Sequence, residues 1–201
     1  MSGDYLTEPE LRGRGIGFGK NFQLHRLAHI VNAHKLSVGD DVRIDAFTVI
    51  TCGHGGVSIG DKSHISSHVL LVAGERGIKM GFNTNIAAGG KIYAASDDFS
   101  GKGLIGSTME MASRYIREGE VVMENYSCVG VNSVMMPGTI LKWGSVLLAN
   151  SVLTGDSIAC AMMSGVPAKM VKMRDKAFIA YTKDGWAERY LASIDEISMN
   201  S

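Results

Sequence analysis

The chain has 201 residues, enough for one domain with a sizeable core. Lys plus Arg equals Asp plus Glu, so the net charge is zero and no nucleic-acid or anionic-membrane footprint is expected. Apolar residues are 45% of the chain, yet no run approaches the roughly 18 needed to span a bilayer. The polar, acidic start from Met1 to Glu10 reads as lacking a signal peptide, and a cytoplasmic protein is expected. Cys52, Cys128 and Cys160 are odd in number and unpatterned in spacing, which suits buried, reduced thiols.

In chain order, residues 1–15 read as a polar lead-in with one helical turn around Glu8–Arg12. A six-residue repeat then begins. Phe18, Leu24 and Ile30 form one group of three. Val38, Ile44 and Ile50 form the next, followed by Ile59, Ile65 and Leu71, then Met80, Ile86 and Ile92. The steps between groups are eight, nine, nine and thirty-one residues instead of six. From Met123 the repeat runs unbroken through Val129, Met135, Leu141, Leu147 and Leu153. Four residues after each stands a small hydroxyl: Ser127, Ser133, Thr139, Ser145, Ser151 and Ser157.

One large apolar and one small residue per six fits neither a helix nor an isolated alternating strand. It fits a short strand plus a corner, repeated, as in a parallel β-helix. The large residue fills a prism interior, and the small one fits where the backbone turns. Three hexads make one triangular coil, so about six coils are expected, stacked about 4.8 Å apart. Every insertion then falls at one corner of the triangle. The longest, residues 94–120, belongs on the surface, because a solenoid core cannot hold it. The predicted domains are a lead-in over 1–15, a β-helix over 16–168 with its loop at 94–120, and a C-terminal helical segment over 169–201. Trp186, Tyr190, Leu191, Ile194 and Ile197 recur at helical spacing there, after a start at Asp184–Gly185, and are expected to cap the prism.

The hexads, the corner loop and Gly165–Lys169 (Gly-Val-Pro-Ala-Lys) together resemble the left-handed β-helix hexapeptide acyltransferases. Val42–Phe47, Ser63–Ser66 and Ile92–Gly101 resemble the bacterial sugar O-acetyltransferase group, related to galactoside, O-antigen and capsule acetyltransferases. This resemblance spans residues 10–174. It implies an all-β, left-handed parallel β-helix and a homotrimer with the active site between two prisms. It also implies acetyl-CoA as acyl donor and direct transfer to a sugar hydroxyl in surface (lipopolysaccharide or capsule) polysaccharide biosynthesis. The alternative within the fold is an N-acyltransferase of a nucleotide-linked amino sugar.

Acyl transfer from a thioester needs a base, a donor for the tetrahedral oxyanion, and two substrates held in line. The base in much of this family is a His at the start of the long loop. Here that position reads Ser96-Asp97-Asp98-Phe99, without a His. His64 is therefore the candidate base, with Asp97 or Asp98 of a neighbouring subunit orienting it or binding the acceptor. His54, in the Gly53–Gly56 corner, is the second candidate, and the Asp97–Asp98 pair could also act directly. His25, His29, His34 and His68 read as surface or packing residues. For the coenzyme, the resemblance points to Gly130, Val131 and Ala149 beside the pantetheine arm and to Asn150 and Thr154 as hydrogen-bonding partners. Lys169 and Lys172, with Arg174, suit the phosphates.

Two other classes fit the sequence less well. A zinc enzyme needs three converging His, and His29 and His34 lack a third on a matching coil. An inert β-helix predicts a uniform Thr face without a long loop. Neither a metal nor a nucleic-acid partner is expected.

Overall fold

In the computed structural model, residues 4–182 are described. Three parallel sheets wind around one axis, each strand two to three residues long over most of the coil. The first face carries Gly17–Phe18, Leu36–Val38, Val57–Ile59, Ile78–Met80, Val121–Met123 and Ile140–Leu141. The second carries Gln23–Leu24, Arg43–Ile44, His64–Ile65, Asn85–Ile86, Cys128–Val129 and Val146–Leu147. The third carries His29–Val31, Val49–Thr51, Leu70–Val72, Lys91–Tyr93, Val134–Met135 and Val152–Leu153. This makes six complete coils, and Ala161–Gly165 begins a seventh on the second face.

The apolar period sets the register. Leu24, Ile44, Ile65, Ile86, Val129, Leu147 and Met163 pair coil to coil on the second face and are all buried. Ile30, Ile50, Leu71, Ile92, Met135 and Leu153 pair in the same way on the third, all buried except the half-buried Ile30 of the first coil. Parallel in-register pairing stacks like on like, so each interior row is a continuous aliphatic column.

The corner hydroxyls are buried as well: Thr48, Ser63, Thr84 and the six predicted from Ser127 to Ser157 are each at most 2% exposed. Most satisfy the turn they occupy. Thr139 and Ser145 donate to the carbonyls of Met136 and Lys142, and Ser133 to that of Leu148. A buried hydroxyl bonded this way costs little, whereas an unbonded one costs ~1–3 kcal/mol.

All four interruptions fall at the corner between the third and first faces, as the spacing predicts. The shorter ones pack backbone on backbone. Gly53 has φ +55, and a Cβ there would lie 2.1 Å from the Gly74 carbonyl, so no other residue fits. The long insertion is not structureless. Ala95–Asp97 pairs antiparallel with Ile116–Glu118, and a 3-10 turn covers Met111–Ser113.

Both ends differ from the middle. Glu8–Gly13 forms the expected helical turn, with Leu11 buried against the first coil. At the far end, the helical segment expected from residue 169 opens instead as a strand. Ala168–Met173 folds back antiparallel on Ala161–Gly165, because the last coil leaves an unpaired strand edge that a following strand satisfies. A 3-10 stretch, Lys176–Tyr181, follows. The predicted helical stripe from Trp186 to Ile197 lies outside the described residues.

Candidate active site

His64 stands on the outer surface of the second face, in register between Arg43 below and Asn85 above. The alternation of the strand forces this: Ile65 points inward, so His64 points out. Its Nε2 lies 2.8 Å from Asp45 Oδ2 and 2.8 Å from Arg43 Nη2. Arg43 in turn pairs with Asp45 through Nε at 3.0 Å. The side chains of His64 and Asp45 are 33% and 24% exposed, so the pair is accessible yet partly shielded. Nε2 thus faces both an acceptor, the Asp45 carboxylate, and a donor, the Arg43 guanidinium, which together fix the position of the ring.

Within the chain, the carboxylate that meets His64 is Asp45, two positions along from Arg43 and one coil below; the expected contact with Asp97 or Asp98 is one between neighbouring subunits. Within the chain, the two loop aspartates lie past the corner between the third and first faces, away from the second face. They are committed to the insertion itself. Asp97 accepts from Arg114 Nη2 at 2.7 Å and Nε at 3.2 Å, and from the Gly106 amide at 3.2 Å. Asp98 accepts from the Ser100 hydroxyl and amide and from the Lys102 amide. Arg114 beside Asp97, and Ser100 beside Asp98, hold both carboxyls below the ordinary aspartate value. An ionised carboxylate so fully bonded is a weak proton acceptor.

His54 sits at the turn-stacking corner, with its side chain 76% exposed, and its Nδ1 meets Glu75 at 2.8 Å. Its carbonyl accepts from Lys35. It is on the same edge as the long insertion and away from His64.

The residues expected to hold the coenzyme are partly gathered. Gly130 and Val131 lie at the corner between the second and third faces, and Ala149 and Asn150 occupy that corner one coil above. The Gly130 amide donates to Leu147 O at 2.7 Å and the Asn150 amide to Val131 O at 2.9 Å. Gly130 admits no Cβ, which would lie 2.7 Å from the Ala149 nitrogen. Lys169 and Lys172 are exposed on the returning strand, opposite Ser164 and Met162. Ser164 continues the coil above Leu148, so Lys169 overhangs this corner. Thr154 is apart from the rest, exposed after the third-face strand Val152–Leu153.

Sequence reasoning missed Asp45 and a column of aromatic rings at the corner between the first and second faces. Phe82, Tyr126, Trp143 and Phe178 contact one another in turn, with centroids 5.5, 5.6 and 5.6 Å apart. The signal for Asp45 is present: it lies 19 residues before His64, close to one coil. The ring column carries no periodic signal, because Phe178 joins it from outside the repeat.

The buried thiols behave as expected of packing residues. Burial pushes Cys52 up to about 11 and raises Cys128. Among the described residues there is no group of three or more His, Cys, Asp or Glu placed to hold a metal, and no helix long and apolar enough to cross a membrane.

No family model matches the chain. Solved structures and one curated relative do match it over nearly its full length. The N-acyltransferase AntD from Bacillus cereus, solved with dTDP and 3-hydroxybutyryl-CoA, is 30% identical. That match covers 98% of this chain and 99% of AntD, with a TM-score of 0.84. A serine variant of AntD bound to dTDP-4-amino-4,6-dideoxyglucose and coenzyme A is 31% identical, covering 94% and 98%, with a TM-score of 0.84. The chain belongs to the hexapeptide-repeat acyltransferases. An Escherichia coli dTDP-4-amino-4,6-dideoxy-D-glucose acyltransferase is 28% identical over 176 residues, 87% of this chain and 91% of that one. A hexapeptide-repeat acetyltransferase from Vibrio cholerae shares the fold at 19% identity and a TM-score of 0.58, covering 83% of this chain and 75% of that one.

Proposed function

We propose that this acyltransferase carries an acyl group from a coenzyme A thioester to the amino group of a nucleotide-linked amino sugar of the dTDP-4-amino-4,6-dideoxyglucose kind. The observation that carries this is the near full-length similarity, at 28–31% identity, to proteins of that activity. The hydroxyl of a surface polysaccharide, the acceptor favoured by the sequence motifs, is the less supported reading. The missing His at the loop start fits the change of acceptor. A neutral amine is nucleophilic without prior deprotonation, so it needs a base only to collect a proton after attack.

The nitrogen attacks the thioester carbonyl carbon. The C–N bond forms, the C–S bond breaks, the nitrogen loses one proton, and the thiolate of coenzyme A gains one. The His64 imidazole receives the proton, and Asp45 fixes the ring and stabilises the imidazolium. Asp97 and Asp98 shape the inserted loop that borders the acceptor, and His54 lies on the rim. Gly130, Val131, Ala149 and Asn150 give a flat corner for the pantetheine arm. Lys169 and Lys172 attract its phosphates, and Thr154 adds a hydroxyl at the far side.

The working unit in this reading is a homotrimer. The long insertion supports it, since Phe99, Leu104, Ile105 and Met111 are each at least 52% exposed on one short segment. Such a patch calls for a covering surface. A neighbouring prism would bring that loop to the second face, where His64 lies.

The test is direct. Purified protein with acetyl-CoA and dTDP-4-amino-4,6-dideoxyglucose should release free coenzyme A and yield the N-acylated nucleotide sugar by mass spectrometry. Transfer to a polysaccharide hydroxyl, with the amino sugar left untouched, would refute the reading.

A further inference from the structure

A second concavity lies directly above His64 on the same face. Asn83, Asn85, Tyr126, Arg174, Phe178 and Tyr181 are among the residues that line an open cavity of about 280 Å³. Asn85 is the in-register neighbour of His64, so the cavity floor begins one coil from the imidazole.

Three features of the lining concern ligand chemistry. The first is a carboxamide pair. Asn85 Nδ2 donates to Asn83 Oδ1 at 3.2 Å and to Asn83 O at 3.3 Å. The pair thus presents one carbonyl acceptor, on Asn85, and one NH2 donor, on Asn83. An acceptor beside a donor matches the complementary edge of a nucleobase. The second is aromatic surface. Tyr126, Phe178 and Tyr181 line the cavity, and Tyr181 is 84% exposed, a large ring with no cover in the chain as described. Base stacking on such rings is sequence-tolerant and favourable.

The third is Arg174. Its guanidinium lies 3.9 Å over the Phe178 ring, and Nη1 donates to the Gly144 carbonyl at 2.5 Å. These contacts fix the fork in one orientation. Burial lowers its pKa, and among the described residues no carboxylate offsets its charge. A half-buried guanidinium held in one orientation is suited to a phosphate, whose oxygens match its planar donors.

We infer that this cavity seats a nucleoside diphosphate, its base edge against Asn83 and Asn85 and its phosphate at Arg174. At about 280 Å³ the cavity is just below the ~300–1,000 Å³ typical of ligand pockets. It suits the nucleotide moiety alone, with the rest of the substrate running along the face towards His64. The inference rests on the reading above, in which both substrates carry such a group: the nucleotide of the sugar acceptor and the adenosine diphosphate of coenzyme A.

Isothermal titration of the full chain with dTDP, ADP and coenzyme A tests it, comparing wild type with Arg174→Gln and Asn85→Ala. Both variants should lose at least tenfold in affinity for the occupant. Loss for dTDP alone assigns the pocket to the acceptor's nucleotide. Loss for ADP and coenzyme A alone assigns it to the acyl donor, and loss for all three means that either nucleotide enters. Unchanged affinities in both variants, or a wild type that binds none of the three, overturn the inference. If Arg174→Gln lowers the melting temperature, Asn85→Ala decides, since its amide bonds only Asn83 among the described residues. Acyl transfer measured on the same preparations keeps the two ideas apart. Binding that depends on Arg174 and Asn85 without acylation of an amino sugar leaves the pocket and removes the reading. Acylation with wild-type KM in both variants does the reverse.

Discussion

The uninterrupted coils from Val121 to Ser157 and the insertion from Ala95 to Glu118 are built on opposite plans. In the coils, every side chain inherits its environment from the residue one turn away. Val129 sits between Ile86 and Leu147, and Met135 between Ile92 and Leu153. In the insertion nothing repeats, and order comes from private pairs such as Arg114–Asp97 and Lys102 over Tyr115. The coils therefore behave as a linear array in which one fault propagates, whereas the insertion is a local device whose faults stay local.

The sharpest way to break this contrast is a one-residue insertion. Placed after Asn132, it should invert the inward and outward alternation of the next strand and prevent folding, read as loss of the soluble protein's circular dichroism. Placed at Gly101, whose added Cβ would touch nothing within 4 Å, it should leave the melting temperature nearly unchanged. Equal damage at both positions would end the distinction.

Next in size is the chemistry, which the contrast assigns to the prism face. His64→Ala should lower kcat by roughly 10²–10⁴-fold without loss of folding. Asp45→Asn should fall between it and wild type and shift the pH profile of kcat. Asp98→Ala should alter KM for the acceptor more than kcat. A larger kcat loss in Asp98→Ala than in His64→Ala would place the proton acceptor in the insertion.

Core truncation comes third. Leu147→Ala, fully buried, should cost about 2–5 kcal/mol in denaturant unfolding. Leu104→Ala, 52% exposed in the insertion, should change stability by less than about 0.5 kcal/mol.

The smallest effect is on pH. Cys52 is buried and its thiol is raised to about 11 from an unfolded value of 9.0. The folded state holds that proton more tightly, so its stabilising effect is complete below pH 9 and is lost as pH rises towards 11. The loss should not exceed about 3 kcal/mol. It should vanish in Cys52→Ala, whose unfolding curve over pH 9 to 11 would be flat by comparison.

The fold was legible because its determinant is local and repeated. Apolar residues every sixth position, and hydroxyls four later, specify strand, corner and face without reference to anything distant. The edge carrying the insertions followed from the same arithmetic. The site was legible only in pieces. His64 is legible as an outward residue, but its partner within the chain, Asp45, needs coil-length counting across irregular corners. The bonds that Asp97 and Asp98 make inside their own loop depend on Arg114 and Ser100 folding back on them. Arg174 and Phe178 left no trace in the repeat, because they reach the second face by tertiary docking. The strand at Ala168–Met173 was read as helix for a related reason: an open sheet edge overrode local preference.

That returning strand has a consequence beyond the single molecule. A parallel coil ends, in principle, on a row of free amides and carbonyls that would accept the first coil of another copy. Here the last full strand of the second face meets a partner running the opposite way, and the first coil meets Tyr5 in an antiparallel bridge at His25. On this face, then, neither end offers the direction that a further coil would require, which disfavours the stacking of another copy there.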